Sequence, residues 1–186
     1  MSCFPVRMLC CLLAFLLLCP AGQAAFPRDL NLTGRAFLEA YAREAGKLDA
    51  PVAAMHNGSP QAVLDGILAS WYPLDDGLAL ILFRRGVSPR LLGVGLAFQE
   101  EKVPQEDWKR SVRAVVASLT PRLDDKYRNM LNEELISALR HRQAYCSYRT
   151  YAEQRQFVVW SDWEEYSAAL FVWPEVMRPS GLYWLP

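Results

Sequence analysis

The stretch from Leu78 to Phe98 restricts the possible folds of this chain more than any other part of the sequence. It consists of two apolar runs, LALILF and LLGVGLAF, separated by the charged segment RRGVSPR. Short apolar runs bounded by Gly, Ser and Pro are typical of the two strands of a β-hairpin. A membrane span is disfavoured because Arg84, Arg85 and Arg90 would lie near the centre of the bilayer. The stretch therefore predicts a buried hairpin.

The second strand of this hairpin has two faces of very different size. Large side chains form one face, which consists of Leu92, Val94, Leu96 and Phe98. The other face, with Leu91, Gly93, Gly95 and Ala97, is nearly bare. Glycine inside a strand is common where another backbone approaches closely. We therefore expect the bare face to receive a helix or a partner chain, and we favour a helix.

The N-terminus has the features of a secretory signal peptide. Arg7 precedes an apolar run that ends at Cys19, and a proline and small residues follow up to Ala24. The run is about a dozen residues long, which is too short for a stable anchor. We expect cleavage after Ala24, so residues 1–24 are the predicted signal and 25–186 a single domain without a membrane span. Lipidation of Cys19 is the alternative, but a lipoprotein signal needs a small residue before its cysteine, and Leu18 is large.

Charge and cysteine content limit the classes of partner and the cellular compartments that suit this chain. The chain has 20 Lys and Arg against 20 Asp and Glu, and this balance argues against nucleic acid or anionic lipid as a partner. Of the five cysteines, only Cys146 lies outside the signal, so the mature domain has no intramolecular disulfide. Cys146 is expected to be a buried thiol, or else to pair between chains. An exported domain without disulfides fits the bacterial periplasm, with secretion as the alternative.

Apolar periodicity predicts four helices and four strands. The helices are expected at 33–45, where Gly46 is the terminator, at 59–71 with Val63, Leu64, Ile67 and Leu68 buried, at 104–120, and from Asp124 or Asp125 to a point between 141 and 155. A second hairpin joins strands 156–160 and 166–173 through the acidic segment 161–165. The predicted class is α+β, an antiparallel sheet of about four strands (two hairpins) packed with about four helices in the order ααββααββ. Helices are expected to cover both faces of the sheet; the alternative is that another molecule completes one face.

The sequence contains no recognisable catalytic, phosphate-binding or metal-binding motif. His141 and Cys146 are five residues apart, which puts them off one another's face on a helix. Glu134 and His141 lack a third ligand. The acidic pairs occur where turns and helix caps favour carboxylates: Asp75-Asp76, Asp124-Asp125 and Glu164-Glu165. We therefore expect no enzyme activity, no cofactor and no metal, and we expect His56, His141 and Cys146 to be dispensable.

Aromatic residues are dense towards the C-terminus. They are Phe157, Trp160, Trp163, Tyr166, Phe171, Trp173, Tyr183 and Trp184. Half of them are expected in the core, but Trp163 lies in the predicted acidic loop and Trp184 in the tail. Exposed Trp and Tyr are favoured anchors of protein interfaces. The predicted partner-binding residues are Asp162, Trp163, Glu164, Glu165, Tyr183 and Trp184.

These features together predict a small exported domain that binds a protein partner in the periplasm. The sharpest form of this hypothesis is an immunity protein or inhibitor that occludes a toxin or hydrolase. One alternative is an exported enzyme with an unfamiliar site built from carboxylates and His56. Another is an accessory or assembly factor of an envelope or secretion machine.

Overall fold

The computed structural model describes residues 29–53, 59–64, 66–140, 148–163 and 166–174; at 59–64, 148 and 161–163 the description covers the backbone. Within these ranges the chain forms three helices and seven strands. The helices are α1 (Gly34–Leu48), α2 (Gln105–Leu119) and α3 (Asp125–Arg140). The strands are β1 (Ser59–Leu64), β2 (Ile67–Asp75), β3 (Leu78–Arg85), β4 (Leu91–Phe98), β5 (Tyr148–Ala152), β6 (Arg155–Trp163) and β7 (Tyr166–Pro174).

All seven strands belong to one antiparallel sheet with the order β1-β2-β3-β4-β7-β6-β5. The chain runs through β1 to β4 as a meander, adds α2 and α3, and returns as β5 to β7. The two halves of the sheet join where β7 pairs with β4. The α+β class is confirmed. The predicted counts of four strands and four helices, and the order ααββααββ, are wrong.

The predicted hairpin from Leu78 to Phe98 is confirmed as β3 and β4, near the middle of the sheet. All eight residues of β4 and the first six of β3 are buried. Arg84 and Arg85 are the last two residues of β3, next to the loop that connects it to β4. Both faces of β3 are apolar because each face is covered by a layer of side chains.

The helix predicted at 59–71 is wrong, because this segment forms β1 and β2. Leu64 pairs with Ile67, so the connection is two residues long, and its sequence is Asp65-Gly66. Asp-Gly between apolar segments is a strong hairpin signal, since both positions of the favoured turn need a positive φ. Gly66 has a φ of 76°. The apolar spacing of this segment fits a helix as well as a strand, and the turn residues decide between them.

Two other predicted boundaries differ from the structure. Gly46 does not end α1, which continues to Leu48; Asp49 instead adopts the left-handed conformation, and its N–H bonds to the Ala45 carbonyl. The fourth predicted helix (α3) ends at Arg140, and the chain is in β5 by Tyr148. Pairing of β5 with β6 outweighs the near-helical spacing of the aromatic residues around it.

The three helices pack on one face of the sheet and enclose the main core. Thr33 caps α1, and its side chain accepts a hydrogen bond from the Ala36 N–H. The apolar stripe predicted for α2 is buried, with Trp108 against Phe98 at a ring-centroid distance of 4.7 Å. Every helix residue of the buried apolar clusters belongs to this core. The expectation that helices cover both faces is therefore wrong for the described helices, because their apolar stripes all face the same side.

Because of Tyr41 in α1, the stability of this core is expected to fall at alkaline pH. Its side chain is 1% exposed, and its hydroxyl donates to the Pro51 carbonyl at 2.9 Å. Burial raises the pKa of Tyr41 from 10.0 to about 12, and a hydrogen bond with Ser111 acts in the opposite direction. The unfolded chain ionises this hydroxyl at a lower pH than the folded chain does. The stabilisation is therefore complete below pH 10 and is lost as the pH rises towards about 12.

We expect Tyr41→Phe to flatten the fall in the free energy of unfolding between about pH 10 and 12, because the variant has no hydroxyl to ionise at this position. Urea denaturation of both proteins across this range measures the two slopes. Tyr127→Phe is the control, since Tyr127 is 61% exposed. Identical slopes for Tyr41→Phe and the unsubstituted protein would contradict the effect of burial on this group.

None of the helices in the described part of the chain has the length and apolar composition needed to cross a bilayer.

Candidate functional site

The sheet face opposite the helices carries a second apolar cluster, which consists of strand residues alone. Its buried members are Ala69, Ile81, Phe83, Leu92, Ala97, Val158, Ala169 and Phe171, and its partly buried members are Ile67, Trp71, Trp160, Tyr166 and Trp173. We call this surface the aromatic face. Small and aliphatic side chains make up most of its floor, and aromatic rings stand at its solvent side.

The bare face of β4 lies within the aromatic face, and no described helix packs on it. A Cβ atom at Gly93 would overlap the Trp173 ring. A Cβ at Gly95 would lie 3.1 Å from the Phe171 ring and 3.3 Å from Ile81 Cβ. The predicted helix on this face is therefore wrong, because aromatic side chains of β7 occupy the space that the glycines leave. The group that approaches the glycines is a side-chain ring of the adjacent strand and not another backbone.

A bulge changes which residues of β4 face which layer. Phe83 pairs with Gly93, but Arg84 pairs with Leu91, so β4 has one extra residue at this point. Leu91 consequently joins the core under the helices, and Leu92 joins the aromatic face. The simple alternation predicted for these two leucines is wrong for this reason.

The rings of the aromatic face contact one another across several strands. Phe83 of β3 and Trp173 of β7 approach to 4.9 Å between ring centroids, directly over Gly93. Trp71 of β2 stacks on Tyr166 of β7 at 5.9 Å. Strand spacing puts β2 and β7 about 14 Å apart in a flat sheet, so both side chains must lean over β3 and β4. The result is a continuous aromatic layer whose members support one another.

The aromatic face continues towards the edge strand β5. Tyr151 is 51% exposed and lies opposite Gln156, whose side-chain N–H donates to the Tyr151 hydroxyl at 3.4 Å. Gln156 in turn pairs with Trp173. Arg149 lies on the same strand opposite Val158 and is exposed. A partly exposed aromatic surface therefore ends in a polar rim, which is the usual composition of a protein interface.

The residues predicted as the partner site are only partly covered by the structure. Asp162 and Trp163 belong to β6 by their backbone, and Trp163 pairs with Tyr166. The connection between these two residues is thus shorter than the predicted loop 161–165. The remaining predicted residues, Glu164, Glu165, Tyr183 and Trp184, lie outside the described residues. So do His56, His141 and Cys146, and their predicted dispensability stays a prediction.

Sequence reasoning identified the aromatic segment of β6 and β7 but missed the contribution of β2 and β3. The predicted helix at 59–71 includes Ile67 and Trp71, although Ile67, Ala69 and Trp71 alternate along one face of a strand. Phe83 was identified only as part of a buried strand. These residues come from distant parts of the sequence, and the sheet order brings them together with Trp173.

The acidic pairs within the described ranges have structural roles. The Asp124 carboxylate accepts the Lys126 N–H at 2.8 Å at the start of α3, and Asp125 pairs with Arg128 at 2.7 Å. Among the described residues, no three His, Cys, Asp or Glu side chains are grouped so that they could hold a metal ion. No protein-family model, curated protein or solved structure matches this chain. The aromatic face is therefore the surface on which a functional proposal can be based.

Proposed function

We propose that this protein is a small exported, periplasmic domain that binds a protein partner, and that it acts as an immunity protein or inhibitor by occluding a toxin or hydrolase. The observation that carries the proposal is the aromatic face. Trp71, Trp160, Tyr166 and Trp173 are all partly exposed on one side of a sheet whose other side is closed by helices.

A protein partner suits the chemistry of this face. Tryptophan and tyrosine bury large areas with little loss of side-chain entropy, and they dominate the binding energy of many interfaces. Here the rings stand on strands and contact one another, so their positions are fixed before a partner arrives. A preorganised surface loses little conformational freedom on binding. This favours tight occlusion of a partner's active site.

Export and charge support the same proposal. The sequence of residues 1–24 is typical of a cleaved signal, and a neutral chain is not suited to nucleic acid. Three acidic residues, Asp162, Glu164 and Glu165, lie within five positions after Trp160 along the chain. A partner with a basic rim around an apolar pocket would match aromatic anchors next to acidic side chains.

The test is affinity capture from a periplasmic extract of the source cells with the tagged protein, followed by binding and activity measurements on the captured protein. Trp71→Ala is the test variant, because it removes a partly exposed ring while Ile81 and Phe83 stay in place beneath the face. We expect it to weaken binding of the captured partner by roughly 2 kcal/mol or more, the loss typical of an interface anchor. Titration calorimetry measures this loss. We also expect the unsubstituted protein to block the partner's toxic or hydrolytic activity.

Tyr127→Ala is the matched control, since it removes an exposed aromatic side chain from α3. Its binding should be unchanged. A partner that binds Trp71→Ala and the unsubstituted protein equally well would place the interface elsewhere. A captured protein whose activity is unaffected by saturating amounts of this chain would contradict the inhibitor role.

A further inference from the structure

An open pocket on the helix side of the sheet contains an arginine that has no acidic partner in the described part of the chain. The pocket has a volume of about 520 Å³ and lies between the start of α1 and the strands β2 and β3. Its lining residues are Thr33, Gly34, Arg35, Leu38, Tyr72, Leu82, Arg84 and Pro89. We call it the Arg84 pocket. Among the described residues its lining includes two cations and no acid, so the charge of this lining is complementary to an anion.

Arg84 is the half-buried cation of this pocket. Its Nη2 reaches the hydroxyl of Ser70 at 3.5 Å, the outer limit of a hydrogen bond, and its guanidinium forms no ion pair with the described residues. A guanidinium has five N–H donors, and this one hydrogen bond uses a single donor of the five. Arg35, by contrast, is exposed and bonds to Glu39 at 2.8 Å. Arg84 is therefore the group in the pocket whose donors are available to a ligand.

The rest of the lining indicates the character of that ligand. The exposed Pro89 and the half-buried Tyr72 of β2 provide the apolar wall, above the buried side chains of Leu38 and Leu82. A single unpaired guanidinium balances one negative charge and matches the two oxygens of a carboxylate. A phosphate dianion would leave one of its two negative charges unbalanced by this arginine. The apolar walls suit a hydrocarbon group attached to the carboxylate.

We propose that the Arg84 pocket binds the carboxylate of an amphipathic ligand, with Arg84 holding the two oxygens and the apolar group lying against Pro89 and Tyr72. The carboxylate belongs either to a small free acid or to the C-terminus of a peptide with an apolar last residue. This site goes beyond the proposed function, because it lies on the opposite side of the sheet from the aromatic face. Trp71→Ala should leave it intact.

The probe for this proposal is hexanoate, titrated into the purified protein and followed by backbone amide chemical shifts. We expect saturable binding with shifts at the start of α1 and in β3. Hexanol, which lacks the charge, and acetate, which lacks the chain, should each bind at least about tenfold more weakly. Equal binding of hexanoate and hexanol, or the lack of saturable shifts at these positions, would overturn the proposal.

The decisive variant is Arg84→Gln, which keeps a polar side chain of similar length but removes the charge. We expect its dissociation constant for hexanoate to rise by about tenfold or more. Arg122→Gln, which removes an exposed arginine far along the chain, should leave the constant within about twofold. Unchanged binding to Arg84→Gln would overturn the assignment.

A second variant keeps the test valid if Arg84→Gln does not fold. Pro89 is exposed at the wall of the pocket, so Pro89→Trp should fill the pocket without changing the core and should abolish hexanoate binding. Normal binding to a folded Pro89→Trp protein would overturn the proposal.

Acetyl-alanyl-leucine and its C-terminal amide separate the two ligand sources. Binding of the acid that is tighter than that of hexanoate supports a peptide C-terminus, weaker binding supports a small free acid, and equal binding of acid and amide overturns the carboxylate.

Discussion

Replacing Trp108 with alanine should lower the free energy of unfolding by about 3–5 kcal/mol, the range for a fully buried aromatic side chain. Trp108 is 1% exposed, and it stacks on Phe98 with an angle of 4° between the rings. It lies on α2 and is the largest fully buried side chain of the described residues. Its loss would leave a cavity between α2 and β4 that the strands, fixed by their neighbours on both sides, cannot close. Urea denaturation at neutral pH measures the change.

Two variants separate the loss of this contact from a general sensitivity of the helices. Tyr127→Ala in α3 should change stability by less than about 0.5 kcal/mol, because the side chain is largely exposed. Trp108→Phe should lose less than half of what alanine loses. It keeps a ring on Phe98 and removes an indole N–H that has no partner among the described residues. A loss below about 1.5 kcal/mol for Trp108→Ala would show that the site collapses around the smaller side chain.

Gly93→Ala should destabilise the protein by on the order of 1–3 kcal/mol, although it adds a single methyl group. The added Cβ would overlap the Trp173 ring, which lies against β4 at this point. Trp173 also packs on Phe83 at 4.9 Å, so it cannot move without separating from its neighbour. Thermal and urea denaturation measure the loss. We expect a smaller loss for Gly95→Ala, whose Cβ would be 3.1 Å from Phe171.

The matched control for this prediction is Gly46→Ala. Gly46 lies in α1, and no atom comes within 4 Å of an added Cβ. Alanine should stabilise the helix there by about 0.5–1 kcal/mol. The variant that combines Gly93→Ala with Trp173→Ala should be no less stable than Trp173→Ala alone, because the ring that the methyl group overlaps is gone. If Gly93→Ala lowers the free energy of unfolding by the same amount in the Trp173→Ala variant as in the unsubstituted protein, the proposed contact is contradicted.

The central hairpin and the α2 helix could be predicted because their signals are local and agree with one another. The runs of β3 and β4 are apolar on both faces, and Arg84, Arg85 and Arg90 limit them to strands. In α2, Trp108 and the valines that follow it lie on one helical stripe, between a proline at the start and Thr120 at the end. Segments of this kind keep their secondary structure whichever neighbour they meet.

The segment from Ser59 to Trp71 shows where local pattern fails. Its apolar residues suit a helix or a strand, and Ser59-Pro60 resembles a helix start. The pairing of Leu64 with Ile67 across an Asp-Gly sequence, and the pairing of β2 with β3, decide for strands. The candidate site depends on the same strand pairing. Trp71 and Trp173 share one face only because β2 and β7 belong to one sheet.

The α+β class, the buried hairpin, the apolar stripe of α2 and the small side chains of the β4 face at Gly93 and Gly95 follow from the order of the amino acids alone. Tertiary structure decided the number of strands, their order, and the identity of the group that approaches the glycines. The physical reason is the range of the interactions. The spacing of apolar residues along a strand or a helix indicates which face is buried, because a buried position favours an apolar side chain. Strand pairing is made by backbone groups that are alike at every residue, so only the assembled sheet specifies which strand, and which ring, lies alongside.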